Sequence, residues 1–289
     1  MRKHGTRIDH PVRRRGAARV LAVSLLLPLG ACASDGWLAS LGFGGDAAGG
    51  QSLVTAESLM RVADSTRAQG EYGTAAGLYN RAHELAPGEV GPLLALGDAL
   101  RHLAAPAAAA DAYRAALAIE PRNLVALRGL GAVLLELDQP EYAIAQLELA
   151  LDVAKDHRIY NSLGVAHDML GDHAAAQVYY REGMELAPNN LQIANNYGLS
   201  LALTGDHGAA IAMLERAVQD PSATPRMRQN LALAYGLAGQ RDAAERIAGL
   251  DLDQAAVAHN LSYYDLLRQA GDSSMTAHAL GTHSADDGS

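Results

Sequence analysis

Asn161, Asn195 and Gln229 recur at one fixed interval, and Ser162, Asn196 and Asn230 stand directly beside them. A side-chain amide is donor and acceptor at once, so a row of carboxamides can hold the backbone of an extended peptide whatever its sequence. Val165, Leu199 and Leu233 recur at the same interval, as do Met169, Leu203 and Leu237. These two sets form an aliphatic stripe suited to the apolar side chains of such a peptide. The same carboxamides can instead bond to one another from unit to unit and set the pitch of a superhelix. The spacing admits both roles.

Bond-making chemistry has no comparable signature. Gly42–Gly45 reads GFGG, but no strand pattern precedes it and no Lys follows it, so it is not a phosphate-binding loop. His83, His102, His157, His167, His173 and His207 occupy different places in their segments, without HExxH or another metal-ligand spacing. No serine sits in a nucleophile elbow. Asp251 and Asp253 lie near a turn, where carboxylates cap helices. The sequence therefore predicts no enzyme, with no catalytic residue, no cofactor, no metal site and no small-molecule substrate.

The elements that must carry the carboxamides follow from self-similarity. Pro87 and Pro121 lie 34 apart, each closing a matching phrase (Ala75, Tyr79, Ala82 and Ala109, Tyr113, Ala116), and Ala176, Tyr180, Gly183, Pro188 repeat it two units further on. Gly97, Gly131, Gly164 and Gly198 recur at 34, 33 and 34, with Ala63 and Ala232 in the same slot of the outer units. This is the tetratricopeptide (TPR) pattern. It divides the chain into units 56–89, 90–123, 124–156, 157–190, 191–224 and 225–258. The fold class expected is all-α, a helical-repeat superhelix of about six helix-turn-helix units plus a C-terminal capping helix.

Each slot has a physical reason. Small residues at positions 8 and 20 let the two helices of a unit approach closely. Gly70, Gly171, Gly205 and Gly239 fall at the turn, where a left-handed backbone ends one helix, and Glu71, Asp172 and Asp206 then favour the start of the next. Proline at position 32 breaks the second helix before the following unit. The third unit has Lys155 in that slot and is one residue short, so its second helix is expected to run on.

Composition agrees. Apolar residues reach 49% while aromatics are 4%, and one cysteine leaves no disulfide framework. Residues 1–31 carry seven basic residues and one acid, whereas the remainder carries 16 and 31, a net charge of −15 beneath the whole-chain −9. So acidic a body has no footprint for nucleic acid.

Both ends lie outside the array. A basic stretch ending Arg13-Arg14-Arg15 precedes the apolar run Ala17–Leu29, which is shorter than the roughly 20 residues a membrane-spanning helix needs. The run closes on Leu29-Gly30-Ala31-Cys32, which resembles the lipobox of bacterial lipoproteins. The resemblance implies a signal peptide over 1–31 and lipidation of Cys32, the only cysteine. With Ala33 next, it also implies the periplasmic face of the outer membrane. Residues 32–55 read as a lipidated N-terminus and Gly/Ala/Ser-rich flexible tether, in which Trp37, Leu38 and Phe43 stand out. Residues 259–270 read as the capping helix, with Leu261, Tyr264 and Leu267 facing the last unit, and 271–289 as a disordered tail.

The lipobox, the six units and the run from Arg228 to Gly239 (RQNLALAYGLAG) together resemble the TadD family, TPR lipoproteins of the tight-adherence (Flp) pilus system. Ala243-Ala244-Glu245-Arg246 and Asn260-Leu261-Ser262-Tyr263-Tyr264 are similar to that family's C-terminal region. The resemblance implies a non-enzymatic, pilotin-like factor that binds the secretin or other pilus-assembly subunits and is held at the membrane by its N-terminal lipid. The alternative is a TPR lipoprotein scaffold of another envelope system, such as a type IV pilus pilotin, outer-membrane-protein assembly or cell-wall enzyme recruitment. TPR co-chaperones clamp a C-terminal carboxylate with groove Lys and Arg. Arg158 and Arg226 near these carboxamides are too few for such a clamp, which disfavours that partner class.

Overall fold

The computed structural model describes residues 54–270. Cys32, the signal and tether segments and the C-terminal tail lie outside the described residues. Thirteen helices and no strand occur among the described residues: α1 (Ala56–Ala68), α2 (Tyr72–Leu85), α3 (Gly91–His102), α4 (Pro106–Ile119), α5 (Leu124–Glu136), α6 (Pro140–Val153), α7 (His157–Met169), α8 (His173–Leu186), α9 (Leu191–Leu203), α10 (His207–Val218), α11 (Pro225–Leu237), α12 (Arg241–Ala248) and α13 (Gln254–Ala270). Each helix packs antiparallel on the next in sequence. The odd-numbered helices from α3 to α13 also pack on one another in order, which makes them the inner layer, with the even-numbered helices outside.

Local chemistry accounts for each boundary. The turn between the helices of a pair needs a left-handed residue, and Gly70, Gly171, Gly205 and Gly239 supply it at φ of 75–88°. In the second and third pairs Ala104 (φ 50°) and Asp138 (φ 57°) hold that conformation despite their Cβ atoms. Asp172 and Asp206 then accept from Ala175 N (3.1 Å) and Ala209 N (3.2 Å), capping α8 and α10. Glu71 makes no such bond. Asn123, Asn190 and Thr224 cap α5, α9 and α11 in the same way.

The core is built on small residues. Ala63, Ala75, Ala109, Ala143, Ala176, Ala210, Ala232 and Ala244 are all fully buried. In the four units with glycine at position 8, no larger group fits. A Cβ on Gly97 would lie 2.7 Å from the Tyr113 ring, on Gly131 2.6 Å from Leu147, on Gly164 2.4 Å from Tyr180, and on Gly198 2.7 Å from Leu214. The large residue at position 24 of the second helix therefore lies against the bare backbone of the first. At the far end, Val257, Leu261, Tyr264 and Leu267 of α13 join the buried cluster formed by α11 and α12. This helix begins at Gln254, so it takes in the last residues of the sixth unit.

The third unit departs from expectation. Its second helix does not run on: α6 stops at Val153, with Ala154 extended (φ −157°, ψ 143°), at the same position in the unit as α2, α4 and α8. The missing residue comes out of the connection. Asp156 caps α7 by accepting from Arg158 N at 2.8 Å, which starts the next helix after only three residues. A cap on the following helix replaces the proline as the stop signal.

Candidate functional site

The inner helices enclose a cavity of about 650 Å³, within the range of ligand clefts. Its floor is made of small residues, Ala95 on α3, Gly129 and Ala132 on α5, and Ser162 on α7. Its walls carry Arg67 of α1, Asp98 and Arg101 of α3, Arg128 of α5, and Arg158 and Asn161 of α7, closed at one end by Asn190, Gln192 and Ile193. Tyr113 reaches in from α4 beneath Gly97 and Gly129; a Cβ on Gly129 would lie 2.5 Å from its ring. The concavity exists because position 6 of three successive inner helices carries Ala, Gly and Ser.

The arginines are held by acids set beside or behind them. Arg101 donates through Nε (3.1 Å) and Nη2 (2.7 Å) to Glu136 Oε1. Arg128 reaches Asp156 Oδ2 at 3.2 Å, and Arg158 binds both Asp156 oxygens. Burial disfavours the Asp156 charge, but hydrogen bonds from the Arg158 side chain and backbone, with the charges of Arg158 and Arg128, outweigh it and hold the carboxyl down at about 2. Arg67 donates to Tyr79 Oη (3.2 Å) and lies 3.7 Å from Asp98. Burial pushes the Tyr113 phenol up to about 12 against the pull of Arg101, so it stays protonated in the cavity wall.

The carboxamides behave differently. Asn230 Nδ2 donates to Asn195 Oδ1 (2.8 Å), Asn195 Nδ2 to Asn196 Oδ1 (3.3 Å), and Asn196 Nδ2 to Asn161 Oδ1 (3.0 Å). Three inner helices, α7, α9 and α11, are thus joined by one chain of amides, and Asn161 and Asn195 are buried. Of the two roles open to these residues, the structure displays the unit-to-unit bonding. Gln229 turns away from it, with Nε2 at 3.4 Å from both Ala248 O and Asp251 Oδ2. Asn161 and its neighbour Ser162 line the cavity; Asn195, Asn196, Gln229, Asn230 and the aliphatic stripe do not.

The aliphatic stripe is largely packing. Leu233 and Leu237 are buried in the cluster that α13 completes, and Leu199 and Val165 pack against buried clusters from half-exposed positions. Met169 and Leu203 are half-buried. The stripe is thus buried in the last unit and part-exposed on α7 and α9. Asp253 accepts from Ala256 N (2.8 Å) at the start of α13, as a cap does, but Asp251 instead binds the Arg228 guanidinium.

Of the arginine lining, Arg128 and Arg158 stand in or beside the carboxamide slots, while Arg67 and Arg101 escaped the sequence reading, which followed the carboxamides into the last units. A signal was present: Arg67 and Arg101 share position 12 of successive units, and Arg128 holds position 5, the slot of Asn161 and Asn195. Two further groups are structural. Asp168 accepts from His173 Nδ1 (2.8 Å), Tyr180 Oη (2.8 Å) and Ser200 Oγ (2.7 Å), all three donors buried, and His167 stacks on Tyr179. Among the described residues no group of three or more His, Cys, Asp or Glu is placed to hold a metal, and no helix is long and apolar enough to cross a membrane.

A tetratricopeptide repeat model matches residues 157–190, the unit of α7 and α8. The fold is an all-α TPR superhelix. Similar solved structures include PilW, a type IV pilus biogenesis factor (16% identity, 75% of this chain and 98% of that one, TM-score 0.61). PilF of Pseudomonas aeruginosa is 21% identical over 66% of this chain and 88% of its own, with a TM-score of 0.57. YrrB, a TPR protein with an unusual peptide-binding site, is 19% identical over 63% and 96%, with a TM-score of 0.50. No curated protein sequence matches the chain. TPR arrays are generally non-enzymatic scaffolds that bind protein or peptide partners.

Proposed function

We propose that the chain is a non-enzymatic lipoprotein of the outer membrane's periplasmic face that receives an extended segment of a pilus-assembly protein in its inner cavity. One observation carries the binding role: five successive inner helices, α1 to α9, leave an open cavity lined by polar and charged side chains. A purely structural array would close it, as the last units do with their amides. The resemblance of the segment ending at Cys32 to a lipobox supports the anchor, and the resemblance of the C-terminal run to the TadD family supports a pilotin-like role for the secretin of the Flp pilus. The likeness of fold to PilW favours a second reading, a partner in a type IV pilus system.

The test is site-specific photocrosslinking in whole envelopes. A crosslinker at Ser162, on the cavity floor, should trap a pilus-assembly protein, the secretin on the first reading. The same probe at Val178 of α8, exposed on the outer layer, should not. Cys32→Ser should release the protein from the membrane fraction and abolish the product. Capture from Val178 in preference to Ser162 overturns the cavity as the binding site, and unchanged fractionation of Cys32→Ser overturns the anchor.

A further inference from the structure

Resting on the reading of the cavity as a peptide groove, we infer that it selects extended segments bearing acidic side chains, which Arg67, Arg101, Arg128 and Arg158 receive. Residues 54–270 hold 16 Lys and Arg against 26 Asp and Glu, yet the cavity lining holds four arginines against one acid, Asp98. With the acids that pair with them counted in (Asp98, Glu136 and Asp156), the cavity still carries four cations against three carboxylates in an otherwise acidic protein. In a concave, partly desolvated site such a field raises the local concentration of anionic ligands.

The arginines keep donors for a ligand. Each guanidinium has five N–H groups. Arg101 directs its two bonds at a single oxygen of Glu136, and Arg128 makes one bond to Asp156. The paired acids Glu136 and Asp156 are not part of the lining, so they orient the guanidiniums from outside the cavity without filling it. The arginine side chains remain partly solvent-accessible, from 25% for Arg128 to 60% for Arg158. The four lie on four successive inner helices, α1, α3, α5 and α7, whose axes are roughly 10 Å apart where they pack. One terminal carboxylate cannot reach all four. Several side-chain carboxylates along an extended strand can, while Gln192 at the end of the cavity offers an exposed amide for its backbone.

Fluorescence anisotropy on the purified full-length protein tests this with three labelled ten-residue peptides: alternating Glu and Ala with an amidated C-terminus, its Gln counterpart also amidated, and the Gln peptide with a free C-terminus. The Glu peptide should bind at least tenfold more tightly than either Gln peptide. Arg128→Gln should remove most of that preference, and Arg128→Lys should restore part of it. Raising salt from 50 to 500 mM should weaken the Glu peptide selectively, because short Debye lengths screen these charges. Asp98→Asn guards against a folding artefact, since it removes the one lining acid and should tighten Glu-peptide binding about threefold. Equal binding of the Glu and amidated Gln peptides overturns the acidic preference but leaves a peptide groove. Tighter binding of the free-carboxylate Gln peptide overturns the side-chain assignment in favour of a chain terminus. No binding by any peptide overturns the preference, and the groove reading then fails only if Ser162 also traps nothing in envelopes.

Discussion

Replacing Asn195 with alanine separates a structural amide chain from a ligand-gripping one. Asn195 is 5% exposed, accepts from Asn230 at 2.8 Å and donates to Asn196 at 3.3 Å. The substitution deletes both bonds and leaves Asn230 Nδ2 and Asn196 Oδ1 without them. Each hydrogen bond contributes about 1 kcal/mol net, and stranding a half-buried partner adds to the loss. Against this, alanine gains roughly 0.6 kcal/mol of helix propensity over asparagine. The expected loss is about 2 kcal/mol, concentrated in α9 and α11. Urea unfolding followed by circular dichroism gives the magnitude, and amide hydrogen exchange locates it. A double-mutant cycle with Asn230→Ala should show coupling of about 1 kcal/mol. If Asn195→Ala leaves stability within about 0.3 kcal/mol of wild type and yet abolishes peptide binding, the amides belong to the ligand and the reasoning is refuted.

Other sites give equally direct outcomes. Gly164→Ala places a Cβ 2.4 Å from the buried Tyr180 ring and should cost about 3 kcal/mol, whereas Gly77→Ala, mid-helix with open space around it, should gain about 1 kcal/mol; urea midpoints compare them. Ala104→Gly relieves a left-handed turn residue at φ 50° and should raise stability by roughly 0.5–1 kcal/mol, visible as a higher melting temperature. Asp156 has a folded-state value of about 2 against an ordinary 3.8, so its charge contributes stability that is fully present above pH 4 and lost as pH falls through 2. Asp156→Asn should therefore destabilise the array by about 1–2 kcal/mol at pH 7, solvent screening included, and by progressively less as pH falls toward and below 2, read as converging urea midpoints.

The fold was legible because each repeat slot has a local physical cause. Alanine or glycine at positions 8 and 20, a left-handed glycine at the turn and an acid beyond it each narrow the chain to one conformation without reference to distant residues. The site was legible only in part. The repeat interval correctly placed Asn161, Asn195, Asn196 and Asn230 on inner helices, but residues at that interval on neighbouring helices face each other as readily as a ligand. Which prevails depends on the residue one position along. An amide at position 6 reaches back to the previous unit's position 5, as Asn196 does to Asn161. A small residue there leaves a hollow. The convergence of the four arginines stayed hidden because three of them are oriented by bonds to Glu136 or Asp156. For Arg101 and Arg128 these acids are distant in sequence, and such pairings follow from superhelix geometry.

That contrast between filled and hollow positions predicts how the cavity can be closed. Asn196 and Asn230 each bond back to the unit before, from position 6 of one to position 5 of the other. Because the third unit is one residue short, the equivalent pair one step earlier is Ser162 and Arg128, one position closer together. Arg128→Asn alone removes a cation from Asp156, which keeps Arg158, and should cost about 1 kcal/mol. Adding Ser162→Asn supplies the missing partner and extends the amide chain from α7 to α5. The double variant should recover about 1 kcal/mol over Arg128→Asn while losing any acidic peptide bound at the cavity floor. If it is no more stable than Arg128→Asn alone, then α5 and α7 do not repeat the approach of α7 and α9, and the hollow is set by backbone curvature rather than by the side chain at position 6.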